Sequence, residues 1–138
     1  MKVIDIFYRN AFDENSRRLS NLTKREFYYK GLPYRSVEHA YQTWKSGEFD
    51  TLAYNSKALK PRGYKRVLID ISYDLMVELI YHSFITNEKE LEWLKANDYF
   101  EEYEFSHTID KGYWREAFPK VLKEALSMIK NNSFRNSS

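Results

Sequence analysis

Ser36-Val37-Glu38-His39-Ala40-Tyr41-Gln42-Thr43-Trp44-Lys45 is the stretch from which the chain is best read. At 3.6 residues per turn, Val37, Ala40, Tyr41 and Trp44 fall on one arc, so the spacing predicts a helix over 36–46 that buries that arc. Ser36 stands where an N-cap belongs. Glu38, Gln42 and Lys45 fall on the adjoining arc at the edge of the buried stripe, and His39 and Thr43 on the remaining side. A carboxylate, an amide and an amine therefore line up where a cleft wall would stand. Glu38 and Lys45 lie about 10 Å apart along the axis, too far for an i,i+4 ion pair. The same placement also has a plainer reading, since the helix dipole favours an acid in the first turn and a base in the last.

Upstream, residues 3–8 read as a short strand and 9–18 as a polar loop ending at Leu19-Ser20-Asn21. Residues 26–29 and 32–34 flank Lys30-Gly31, a hairpin turn. Downstream, 49–59 reads as helical and stops before Pro61-Arg62-Gly63. Residues 71–84 are helical, because Leu75, Met76, Leu79, Ile80 and Phe84 recur at three- and four-residue steps. Asn87 with Glu90 resembles a capping box opening a helix over 88–96. Residues 99–105 read as a strand. Pro119 suits the first turn of a last helix with Val121, Leu122, Ala125, Leu126 and Ile129 on one face. The expectation is one α+β domain over 1–130, helix-dominated with a small sheet, and a disordered tail over 131–138.

Composition removes several kinds of chemistry. The 138 residues suit one domain, and 43% hydrophobic with 30% charged residues is ordinary for a globular protein. Cysteine is absent, which rules out disulfides, thiolate nucleophiles and iron–sulfur ligation. The 4 glycines are isolated, so neither a P-loop nor a GxGxxG turn can be built. His39, His82 and His107 are scattered, with no HExxH and no expected metal site. No nucleophile elbow accompanies a serine. A net charge of +2 does not describe a surface that grips a polynucleotide backbone, while leaving nucleotide-sized ligands and transient nucleic-acid contact open. Charges at Lys2, Asp5 and Arg9 argue against a signal peptide, and no apolar run reaches the ~20 residues of a membrane span. A cytoplasmic protein without a membrane is the expectation. Any chemistry has to use carboxylates, lysine, amides and aromatics, and aromatic residues, at 17%, are plentiful.

Phe7-Tyr8, then Leu19-Ser20-Asn21, Gly31 and Ser36-Val37-Glu38-His39-Ala40-Tyr41-Gln42-x-x-Lys45 together resemble the N-terminal signature of the NADAR (YbiA-like) family. That signature has a Phe-Tyr strand, a Leu-Ser-Asn-Phe turn, a hairpin glycine and a Ser/Thr-x-Glu-His-x-Tyr-Gln helix ending in Lys. The likeness is dense over residues 7–45. Further on, 70–84 and 88–94 are similar to two family helices, and Glu104, His107, Asp110 and Trp114 to its late Glu, Asp and Trp segment. The family's Asp-x-x-Trp is one residue longer here, Asp110-Lys-Gly-Tyr-Trp114. Arg115-Glu116-Ala117-Phe118-Pro119 replaces a glycine-rich stretch, Leu122-Lys123 a Leu-Gly pair, and Leu22 the usual Phe.

The resemblance implies hydrolysis of a ribose-to-nitrogen bond. Family members act on phosphoribosyl-amino intermediates of riboflavin synthesis or remove ADP-ribose from guanine. Such a bond breaks through an oxocarbenium-like centre that a carboxylate stabilises. Glu38 takes that role or activates water. Lys45 holds a phosphate or sugar oxygen, or attacks the opened sugar as a Schiff-base amine. Asp110 is a second carboxylate, acting as a base or accepting a ribose hydroxyl, and it also reads as an Asp-Lys-Gly turn. Arg9 and Gln42 are substrate contacts. Asn21 either contacts ligand or fixes its own turn, and Trp114 either stacks on a base or plugs the core. No cofactor is called for. The expected partners are ADP-ribose or an ADP-ribosylated guanine nucleotide and, by the same resemblance, an ADP-ribosyltransferase toxin. NADAR domains occur beside such toxins and in phages as counter-defence proteins. Two further readings stay open: a binding module without turnover and an inhibitor of the toxin.

Overall fold

The computed structural model describes residues 2–7, 9, 13–46 and 73–136, leaving aside the side chains of 45, 46 and 133–136. In chain order the elements are β1 (Lys2–Asp5), α1 (Glu14–Leu19), β2 (Phe27–Tyr29), β3 (Leu32–Tyr34), α2 (Val37–Ser46), α3 (Tyr73–Ile85) and α4 (Glu88–Ala96). A short turn over Asp98–Phe100, β4 (Tyr103–Ser106) and α5 (Trp114–Asn136) complete it. This is an α+β fold of the helix-rich kind. The expected helix over 49–59, its Pro61-Arg62-Gly63 stop and Tyr8 lie outside the described residues.

α3 is the hub. It buries Met76, Val77, Leu79, Ile80 and Phe84 against α5, α2, α4 and β2. α5 answers with Phe118, Val121, Leu122, Ala125, Leu126 and Ile129, spaced three and four apart as a core-facing helix requires. Strands form two separate pairs. β2 and β3 make the antiparallel hairpin, turning through Lys30 at φ 50° and Gly31 at φ 84°, the positive values a two-residue turn needs. β1 and β4 pair in parallel, Lys2 opposite Tyr103 and Asp5 opposite Ser106.

Several elements differ from expectation for identifiable reasons. Residues 9–18 are not all loop: Asp13 accepts the N–H of Ser16 at 3.2 Å, caps α1, and Ser16 and Leu19 are buried. Six residues are too few for periodicity to register. The strand expected over 99–105 shortens to Tyr103–Ser106, because Asp98, Tyr99 and Phe100 all take positive φ and turn Phe100 into the core. That left-handed turn is unfavourable for non-glycine residues, and the burial of Phe100 against Trp93, ring centroids 5.1 Å apart, offsets it. Asn87 does cap α4, but its side chain makes no capping bond, and Glu90 pairs instead with Arg18 at 3.1 Å. α5 starts five residues before Pro119 and continues to Asn136, through most of the stretch expected to be a disordered tail. Pro119 therefore sits in the second turn and gives no hydrogen bond to the carbonyl of Arg115, an exposed residue whose carbonyl can meet water.

α2 departs most instructively. Val37, Ala40 and Tyr41 are buried and Trp44 is partly so, in line with the predicted arc. His39 and Thr43 are buried as well, because α2 is covered on a second side by the hairpin. The His39 ring meets Tyr34 edge-on at 5.4 Å, and Thr43 Oγ1 donates to the His39 carbonyl at 2.8 Å. Among the described side chains of α2, those of Glu38, Gln42 and Trp44 are only partly buried, and the Glu38 and Gln42 edge borders open space. Among the described residues no helix is long and apolar enough to cross a membrane.

Candidate functional site

The first turn of α2 is held from two directions. Ser36 Oγ accepts the N–H of His39 at 3.1 Å, so Ser36 is the N-cap. The Glu38 N–H, one of the orphan donors of the helix start, is taken by the Asn21 carbonyl at 3.0 Å. The turn around Leu19-Ser20-Asn21 is thereby tied to the residue it faces. Within α2, Gln42 Nε2 donates to Glu38 Oε1 at 2.8 Å, leaving the second carboxylate oxygen uncommitted among the described contacts.

Glu38 and Gln42 border a cavity of about 610 Å³. Arg9, Asn21, Asp110 and Trp114 line the same cavity, from both ends of the chain. Its apolar surface comes from Phe7, Met76, Ile109 and Phe118. Six of the seven residues singled out from the sequence thus converge on one space of the size that small-molecule sites use. The seventh, Lys45, lies in the last turn of α2, and its side chain is outside the described residues.

The alternatives left open by the sequence now resolve in part. Asn21 does not fix its own turn through its side chain: Nδ2 reaches Met76 Sδ at 3.2 Å, and Leu22 N–H is held by Ser20 Oγ at 3.2 Å. Asn21 Oδ1 is buried and meets no donor among the described residues. Asp110 takes its turn reading and also stands at the cavity. Its Oδ1 accepts the Gly112 N–H at 2.9 Å, an Asx turn. Trp114 opens α5, is partly buried, and meets Tyr41 edge-on at 5.5 Å and Tyr113 at 5.0 Å. It both supports α2 and contributes to the cavity wall.

Sequence reasoning missed His107. This residue lines the cavity, with Nδ1 2.7 Å from the Ile6 carbonyl oxygen and Nε2 3.9 Å from Asp110 Oδ2. The available signal was a His-x-x-Asp immediately after a strand, where loop residues commonly carry function. Asp5 anchors the same loop by accepting the Thr108 N–H at 2.9 Å and its hydroxyl at 2.5 Å, and the Ser106 hydroxyl at 3.0 Å. Burial alone would raise the Asp5 carboxyl, but those hydrogen bonds and nearby His107 outweigh it and hold it below the usual range. Among the described residues no cluster of three His, Asp or Glu could hold a metal ion.

Comparison with known proteins returns nothing: no family model, curated protein or solved structure matches the chain.

Proposed function

We propose that the protein is an N-glycosidase of the NADAR kind that releases ADP-ribose from guanine in DNA, countering an ADP-ribosylating toxin in the cytoplasm a phage occupies. The observation that carries this reading is the meeting of Glu38, Gln42, Asn21, Arg9, Asp110 and Trp114 at one cavity. All of these but Arg9, which the sequence places just past the first strand, stand in the motifs that carry the family resemblance. Cleavage of a ribose-to-nitrogen bond builds positive charge at the sugar carbon, and Glu38, held from Gln42 and from the backbone of its own helix start, is the carboxylate that stabilises it. Arg9 suits a pyrophosphate, Trp114 a base face, and Asp110 a ribose hydroxyl or a proton in transit. Lys45 holds phosphate or forms a Schiff base with the opened sugar, which borohydride trapping distinguishes.

The test is direct. Purified protein is incubated with an ADP-ribosylated oligonucleotide and, separately, with a phosphoribosyl-amino pyrimidine. Release of free ADP-ribose from the oligonucleotide is expected. Cleavage of the pyrimidine alone would make the protein a metabolite hydrolase. Cleavage of neither, with the toxin still neutralised in cells, would make it a binding inhibitor.

A further inference from the structure

His107 is a titratable group at the cavity to which the glycosidase reaction, with Glu38 as its carboxylate, gives no task. Its backbone is set by the parallel pairing of β4 with β1, and its ring is located on three sides. Nδ1 faces the Ile6 carbonyl at 2.7 Å, the Phe118 ring packs at a tilt with a centroid distance of 4.9 Å, and Nε2 faces Asp110 Oδ2 at 3.9 Å. A carbonyl oxygen only accepts, so Nδ1 carries a proton and the ring is oriented as a single tautomer when neutral. Nε2 is then the nitrogen presented to Asp110, whose other oxygen is fixed by the Gly112 N–H. When both nitrogens are protonated, each N–H faces an oxygen. The charged groups around the ring are Asp5 from β1, Asp110 and Lys111 from its own loop, and Glu38 and Arg9 across the shared cavity.

We propose that His107 is the proton donor to the leaving nitrogen, its ring oriented by the Ile6 carbonyl and the Asp110 carboxylate stabilising the charged imidazolium that makes the donation. This rests on the glycosidase reading. In the step, the sugar C1′–N bond breaks and its electron pair passes to nitrogen, which takes the proton from His107 Nε2. Water forms the new C1′–O bond and gives its proton to Glu38. Glu38 then returns that proton to solvent, and solvent reprotonates His107. One water is consumed and no other reactant is needed. A histidine suits the task because a general acid works best when its titration lies near the operating pH. It also gives Asp110 a task that does not require contact with substrate.

The experiment is the pH dependence of single-turnover ADP-ribose release from an ADP-ribosylated guanine oligonucleotide. Wild type is expected to give a bell, its two limbs reporting an essential base and an essential acid. His107→Asn keeps an amide donor in place for the Ile6 carbonyl. It should lower the rate about 10²–10⁴-fold and lose the alkaline limb. Asp110→Asn leaves the ring held by Ile6 and Phe118 and should lower the rate by less than His107→Asn does, with the alkaline limb kept. Wild-type activity without an alkaline limb overturns the assignment, as does a limb that His107→Asn keeps. If the wild type releases no ADP-ribose at any pH, the glycosidase reading itself fails and the role of His107 falls with it.

Discussion

The two walls of the cavity are built in different ways. The wall formed by the turn after α1 and by α2 is braced from inside the protein. Arg25 is buried, donates through Nε to Ser83 at 3.1 Å and through Nη1 to the Arg18 carbonyl at 2.6 Å, and lies 4.1 Å over the Phe84 ring. Burial pushes its pKa down to about 10, with Glu90 favouring the charge and Arg18 opposing it. Arg18 in turn pairs with Glu90 and covers Trp93 at 4.0 Å. The opposite wall, 107–113, is a loop fastened at its edge by Asp5 and by the Asp110 turn, with Ile109 64% and Tyr113 47% exposed. Buried partners distant in sequence tie the first wall to global folding, whereas exposed capping bonds allow the second to open by itself. In the proposed reaction, Glu38 belongs to the braced wall, and His107 and Asp110 belong to the yielding one.

The largest expected effect separates chemistry from bracing. Glu38→Gln keeps shape but cannot offset cationic charge, so release of ADP-ribose should fall about 10²–10³-fold with thermal unfolding unchanged. Undiminished turnover would move the chemistry to the other wall. Arg25→Ala should do the reverse. It leaves a cavity and strips donors from the Arg18 carbonyl and Ser83, so denaturant unfolding should show a loss of about 3 kcal/mol. A loss within error of zero would mean the first wall is not braced through Arg25.

Substitution at the start of α5, where Trp114 contributes to the cavity wall, should register in binding. Trp114→Ala is expected to weaken ADP-ribose affinity, measured calorimetrically, by about 1–3 kcal/mol, and Trp114→Phe to recover part of it. The smallest effect concerns acid. The Asp5 carboxyl titrates below its ordinary 3.8 in the folded state, so its contribution is present above that value and is lost as pH falls through the folded pKa. Stability should decline on this account as pH falls below the ordinary carboxylate range, and Asp5→Asn should remove that part of the decline. Hydrogen exchange sharpens the contrast: in acid the Thr108 amide, bonded to Asp5, should lose protection before the Glu38 amide, bonded to Asn21.

Much of the braced wall is legible in the sequence. The hydrophobic face of α2, its Ser36 cap, the hairpin and the seams of α3 and α5 all follow from spacings within a few residues. Glu38 and Gln42 stand out as the open edge of α2 on the same grounds. The burial of His39 and Thr43 is not legible, because the hairpin that covers them is a tertiary neighbour, invisible to a helical wheel. His107 carries only the weak local signal of a His-x-x-Asp after a strand, and its setting arises once the Ile6 carbonyl and Asp110 stand on either side of it. Glu90 reads as half of a capping box locally, yet Arg18, 72 residues earlier, claims its carboxylate.

The sequence by itself determined the local elements, because hydrogen bonds to the next turn, a cap, or a positive-φ glycine act over short stretches of chain. It also excluded disulfide, thiolate and iron–sulfur chemistry through the absence of cysteine. Only the tertiary structure decided that β1 pairs in parallel with β4 across about 100 residues, and that this pairing carries His107 and Asp110 to the cavity beside Glu38. Such contacts are selected by burial summed over the whole core, and no spacing within a single segment encodes that sum.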